Sequence, residues 1–156
     1  MLQRFGERVK CGAPYGSAMQ DHKQLRVWKR AHALTIFVVL CLKKAPRDMT
    51  WLKSQLVRAA ASIGANISEG AGQETAAQFG RFLAMSLASS NEVSNHASVA
   101  HDSGLLPLSD FNHIENEIEA IRSMLTVLLR RVREREAYSI ENRTLFHSHS
   151  NHLVTC

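Results

Sequence analysis

Between Phe111 and Val132 the apolar residues Phe111, Ile114, Ile118, Ile121, Leu125, Leu128 and Val132 recur in alternating steps of three and four. A strand would need steps of two, so this pattern draws one continuous apolar stripe down an α-helix of about six turns. One helix cannot bury its own stripe. The rest of the chain must therefore supply helices to cover it.

Three such helices are legible upstream, each bounded by breakers. The first runs from Asp21 to Lys44 and stops ahead of Pro46, because the residue before proline is pushed out of the α region. The second starts at Asp48 or Thr50, either of which can cap free amides, and runs to Gly70, with Gly70 and Gly72 as its stop. Thr75 three residues before Gln78 is a capping-box signature that opens the third, which ends at Asp102 with Gly104 as terminator. Pro107 and Ser109 lead into the fourth. Connections this short force neighbouring helices antiparallel, which predicts an all-α, up-down-up-down four-helix bundle. An aromatic content of 6% agrees, since sheet sandwiches lean on aromatic and β-branched residues. Residues 1–20 and 137–156 lack the apolar period and read as flexible N- and C-terminal tails around a single bundle at 21–136, with Met19 as a candidate natural start.

Several function classes are disfavoured. The longest apolar run, Ala33 to Leu42, is about half of what a membrane crossing needs, and the opening residues lack a secretory pattern. Cys11, Cys41 and Cys156 have neither metal nor redox spacing, which fits a reducing cytoplasm. Di-iron bundles require paired Glu-x-x-His motifs, whereas Glu92 and His96 stand four apart and have no counterpart. His147, His149 and His152 lack companion cysteines, so no metal or cofactor is expected.

Charge is distributed more informatively. Lys23, Arg26, Lys29 and Arg30 open the first helix, and Arg130, Arg131, Arg133 and Arg135 crowd the late part of the fourth. Alternating helix directions bring these two groups to one end of the bundle, which becomes the expected surface for RNA or DNA phosphates. An enzymatic alternative is a helix-bundle ribonuclease with His32 as acid or base and Arg26 stabilising developing charge. Six residues along a helix turn through about 240°, which sends these two side chains apart.

On the second helix, Gln55, Arg58, Ser62, Asn66 and Glu69 form a polar seam opposite Leu52, Leu56, Ala59, Ile63 and Ile67. The third presents Arg81, Ser89 and Glu92. One antiparallel register sets Arg58 beside Glu92, Glu69 beside Arg81, and Ser62 opposite Ala88, so these polar residues are expected to be structural ion pairs and not an active site. The first helix is apolar nearly all round from Leu34 to Leu42, more than one bundle core can cover, which predicts a homo-oligomer.

Across residues 22 to 134 the chain resembles the four-helix bundle proteins encoded in intervening sequences of bacterial large-subunit ribosomal RNA genes. The resemblance is carried by Leu25-Arg26-Val27-Trp28-Lys29-Arg30-Ala31, by the block from Gln55 to Gly70, by Phe79-Gly80-Arg81-Phe82-Leu83-Ala84, and by Ser89 and Glu92. Gly64, Ser68, Gln73 and Ala88 depart from the family pattern. The resemblance implies a homo-oligomeric bundle, typically a five-membered ring, without known catalysis. It extends distantly to the accessory protein of diversity-generating retroelements, which implies nucleic acid and a protein such as a reverse transcriptase as partners. A non-enzymatic, oligomeric binding protein is the expected function.

Overall fold

The computed structural model describes residues 21–43 and 49–150, with the side chains of Ser139 and of 142–150 left aside. A 3₁₀ turn at His22–Gln24 precedes α1 (Arg26–Lys43), α2 (Thr50–Ala71), α3 (Ala76–Asp102) and α4 (Leu108–Ser150), and no strand occurs among the described residues. Each helix packs on the next and α4 returns to α1, while among the described residues the backbones of the diagonal pairs, α1 with α3 and α2 with α4, do not come close. This is the expected four-helix bundle.

Cross-helix contacts fix the alternating directions. Thr35 Oγ1 donates to Ala60 O at 3.0 Å, tying α1 to α2. Ser86 Oγ donates to Ile63 O at 3.1 Å between α3 and α2. On α4, Arg122 donates to Ser90 Oγ and Ser90 O at 3.2 and 3.1 Å, while Glu115 accepts from Ser94 Oγ at 3.0 Å. Phe37 meets His113 with ring centroids 4.2 Å apart, closing α4 against α1. Within this frame Leu34, Val38, Leu56, Ile63, Ile67, Phe79, Leu83, Ile114, Ile118, Ile121 and Leu125 are almost completely buried, so the α4 stripe does face the core. At its far end Leu129 is buried and Leu128 only partly, a small drift of the stripe around the helix.

The helix boundaries follow the sequence in some places and depart from it in others. Thr75 caps α3 by accepting from the Gln78 amide at 3.2 Å, and its hydroxyl donates to Gln78 Oε1 at 2.9 Å. Gly104 takes φ +77° after α3, a conformation open to glycine, and His101 stacks on Phe111 at 4.9 Å to close the α3–α4 turn. Asp21 caps the 3₁₀ turn, and α1 proper begins only at Arg26. The expected cap of α2 is corrected: Met49 occupies that position at φ 56° without a side-chain cap, Thr50 is already helical, and Asp48 lies outside the described residues, as does Pro46.

Gly70 is not a stop. It sits inside α2, where a Cβ would lie 2.7 Å from Phe82 Cβ and 2.8 Å from Phe79 Cδ2, so its lack of a side chain is what lets α2 and α3 close together. α2 ends one residue later, with Gly72 right-handed at φ −88°. The fourth helix also runs on through Ser150, beyond the end of the expected bundle at residue 136, because a helix already started needs no apolar period to continue. Residues 1–20 and 151–156, expected as parts of the tails, lie outside the described residues.

Candidate functional site

The start of α1 lies along α4, as the alternating directions require. Arg26, Lys29 and Arg30 of α1 and Glu117 and Met124 of α4 line one open depression. Arg30 is held there by a bidentate ion pair, Nε to Glu117 Oε2 at 2.6 Å and Nη2 to Glu117 Oε1 at 2.9 Å. The hydrogen bonds from Arg30 hold the Glu117 carboxyl below the ordinary glutamate range and raise the guanidinium in turn. Lys23, Arg26 and Lys29 are exposed and make no ion pair among the described residues.

Beyond Met124 the basic surface continues along α4. Glu117, Met124 and Arg131 are seven residues apart, and Arg135 follows one turn later, so Arg131 and Arg135 share the flank of α4 that faces α1. Both are exposed and unpaired among the described residues. The other expected members divide. Arg130 is paired with Glu134 at 3.8 Å, both side chains being largely exposed. Arg133 is exposed on the flank turned toward α3, because its position follows that of Arg122 by three turns. Of the eight expected cations, Arg30 and Arg130 are paired and Arg133 lies on the other flank. Arg26 and Lys29 of α1 and Arg131 and Arg135 of α4 remain unpaired along the α1–α4 side. Lys23 is unpaired on the 3₁₀ turn, which packs against α1 and α2.

Arg26 and His32, the expected pair of a ribonuclease, point to opposite flanks of an uninterrupted α1. Arg26 faces the depression beside α4, whereas His32 stacks on Trp28, whose Nε1 would lie 3.8 Å from a Cβ on Gly64 of α2. No reacting atom could sit between them. Among the described residues there is no group of three or more His, Cys, Asp or Glu side chains able to hold a metal ion. Cys41 is a half-buried free thiol, raised above the ordinary range by burial.

The expected ion pairs of the α2–α3 hairpin do not form. Arg58, Glu92, Glu69 and Arg81 are all exposed, and neither pair comes within 4.0 Å. Their register is close to the expected one, since Gly70 meets Phe79 and Phe82 and Ser86 reaches Ile63. The charged groups instead point outward from the shared seam. Gln55 is exposed, Ser62 and Asn66 are half-buried, and Ser89 alone of the set is buried. The side-chain polar groups that join α3 to its neighbours are Ser86, Ser90, Ser94, Glu115 and Arg122, and sequence reasoning missed them. Ser86 and Ser90 fall in phase with Leu83 and Val93, and that position of a hydroxyl in an apolar stripe is the signal that could have exposed them.

Among known proteins, the sequence model of the 23S rRNA-intervening sequence protein family matches residues 23–127. No curated protein matches the chain. Among solved structures, a protein of unknown function from the S23 ribosomal protein family of Bacteroides thetaiotaomicron superposes with a TM-score of 0.62 at 21% identity. The match covers 66% of this chain and 97% of that one, and it bears on the fold.

Proposed function

The chain belongs to the family of 23S rRNA-intervening sequence proteins, and from that premise we propose that it is a non-enzymatic, homo-oligomeric binding module that takes RNA through the basic end of its bundle. The observation that carries the reading is the line of unpaired cations Arg26, Lys29, Arg131 and Arg135, with Lys23 unpaired just ahead of α1. Each phosphate neutralised by such a cation releases condensed counterions, which favours binding at low salt. Glu117 does not cancel the line, since its charge is already matched by Arg30.

Self-association is supported by the outer face of α1. Ala33, Ile36 and Leu40 recur there at steps of three and four, opposite the buried Leu34 and Val38, with Ile36 46% and Leu40 53% exposed. Lys29 and Lys43 bracket this stripe on the same face. A second copy is its proposed occupant. No described helix is long and apolar enough to cross a membrane.

The test is an anisotropy titration of labelled single-stranded RNA across a range of salt concentrations. Replacing Arg131 and Arg135 with alanine together removes two phosphate contacts and should flatten the slope of log affinity against log salt by about 1.4. Cleavage of the RNA, or an unchanged slope with the oligomer intact, refutes the proposal.

A further inference from the structure

Beside the cation line three rings meet at the start of α1. Trp28 is half-buried against α2, His32 lies over it with centroids 5.2 Å apart and planes within 10°, and His22 of the 3₁₀ turn meets Trp28 edge-on at 5.0 Å and 68°. Helical spacing produces the stack, since residues four apart lie one above the other and Asp21 caps the turn that brings His22 back toward Trp28. His32 is the outermost ring. It is exposed and makes no hydrogen bond or ion pair with the described residues, so stacking alone orients it.

From this juxtaposition we infer that Trp28 and His32 form a stacking platform for an unpaired nucleobase, with Lys29 neutralising the adjoining phosphate. This inference rests on the RNA-binding reading and adds a base-dependent contact to a backbone-dependent one. Every base offers a flat π face, so a rigid pair of parallel rings accepts any of them, provided that the base is not already stacked in a duplex. Lys29 precedes His32 by three positions, less than one helical turn, on the same exposed side of α1. Arg26 stands a further three positions back, toward the depression shared with Glu117 and Met124. A single strand crossing α1 thus meets Lys29 and an exposed aromatic face within one nucleotide's reach, with Arg26 farther on, on the α4 side. The cation line alone offers charge, which a duplex satisfies as well as a single strand.

Fluorescence can follow this platform directly, because Trp28 and Trp51 are the chain's two tryptophans and Trp51→Phe, at an exposed position, leaves Trp28 as the single reporter. The full chain carrying Trp51→Phe is titrated at low salt with a short oligoadenylate, its deoxy counterpart, an abasic strand of equal length and a duplex. Oligoadenylate should quench Trp28 and bind about tenfold more tightly than the abasic strand. His32→Ala should bring oligoadenylate down to the abasic level and leave abasic binding unchanged, with helicity by circular dichroism preserved. Equal binding of adenylate and abasic strands, or no response of adenylate affinity to His32→Ala, overturns the platform and leaves the basic end standing. Failure of every probe to bind overturns both. The deoxy strand separates a preference for bases in general from one for ribose.

Discussion

Two glycines of α2 should respond to the same substitution with opposite signs. In a helix interior alanine is favoured over glycine by about 1 kcal/mol, a gain that applies in full at Gly64 and less at Gly70, the last residue but one of α2. At Gly64 the new Cβ meets nothing nearer than Trp28 Nε1 at 3.8 Å, ordinary van der Waals distance, and the gain survives. At Gly70 it would fall 2.7 Å from Phe82 Cβ and 2.8 Å from the ring of Phe79. The first of these atoms moves only with the α3 backbone, and the second belongs to one of the most completely buried side chains of the core. Separating the helices there costs about 1 to 3 kcal/mol, which outweighs the propensity term. Gly70→Ala should therefore destabilise by up to about 2 kcal/mol while Gly64→Ala stabilises by roughly 0.5 to 1. Urea unfolding at one fixed protein concentration separates the two, because assembly then contributes equally. If Gly70→Ala proves as stable as Gly64→Ala, the close approach of α2 and α3 at this point is wrong.

Three other perturbations probe the same architecture. Glu117→Gln should cost about 1 kcal/mol at neutral pH, a value held down by the 38% exposure of the Arg30 side chain. Because the Glu117 pKa is depressed in the folded state, the wild-type advantage is complete at pH 7 and fades as pH falls through that lowered value, which thermal melts from pH 7 to 3 will record. Ser86→Ala should lose roughly 1 kcal/mol by chemical denaturation through the missing hydrogen bond to Ile63 O, and Ser86→Leu should lose more, since the site is fully buried. Leu40→Glu should lower the mass seen by light scattering to that of a single chain without loss of helicity, and an unchanged mass would show that the α1 face is not the contact.

The division between what the sequence disclosed and what it hid is a physical one. Helix existence and order were legible because the core of each helix repeats every three or four residues and because Thr75 and Gly104 can do little else at their positions. The role of Gly70 was not, since a glycine needed for turning and a glycine needed for contact are the same letter, and only the position of Phe79 and Phe82 tells them apart. The α2–α3 register was nearly right from charge pairing, yet the pairs themselves failed: long side chains on the outer edges of two helices gain more from water than from each other. In the basic region the cations were visible, whereas the two carboxylates that cancel part of them, Glu117 and Glu134, acquire that meaning only with distances. The Trp28 and His32 stack was present in the sequence as a spacing of four, which by itself does not distinguish stacked rings from two separate side chains.

The extra length of α4 changes what its arginines are doing. A helix carries a partial negative charge at its C-terminal end, and cations gathered in the last turn commonly serve to offset it. Had α4 stopped at residue 136, Arg133 and Arg135 would have occupied its last turn, and the helix's own macrodipole would have accounted for them. The helix instead continues to Ser150, fifteen residues past Arg135, which places its negative end about 22 Å farther along the axis. The field of a helix terminus falls off within one turn, so it no longer reaches these side chains. Arg131 and Arg135 lie mid-helix, on the flank that faces α1, with their positive charge directed outward and not absorbed by the helix that bears them.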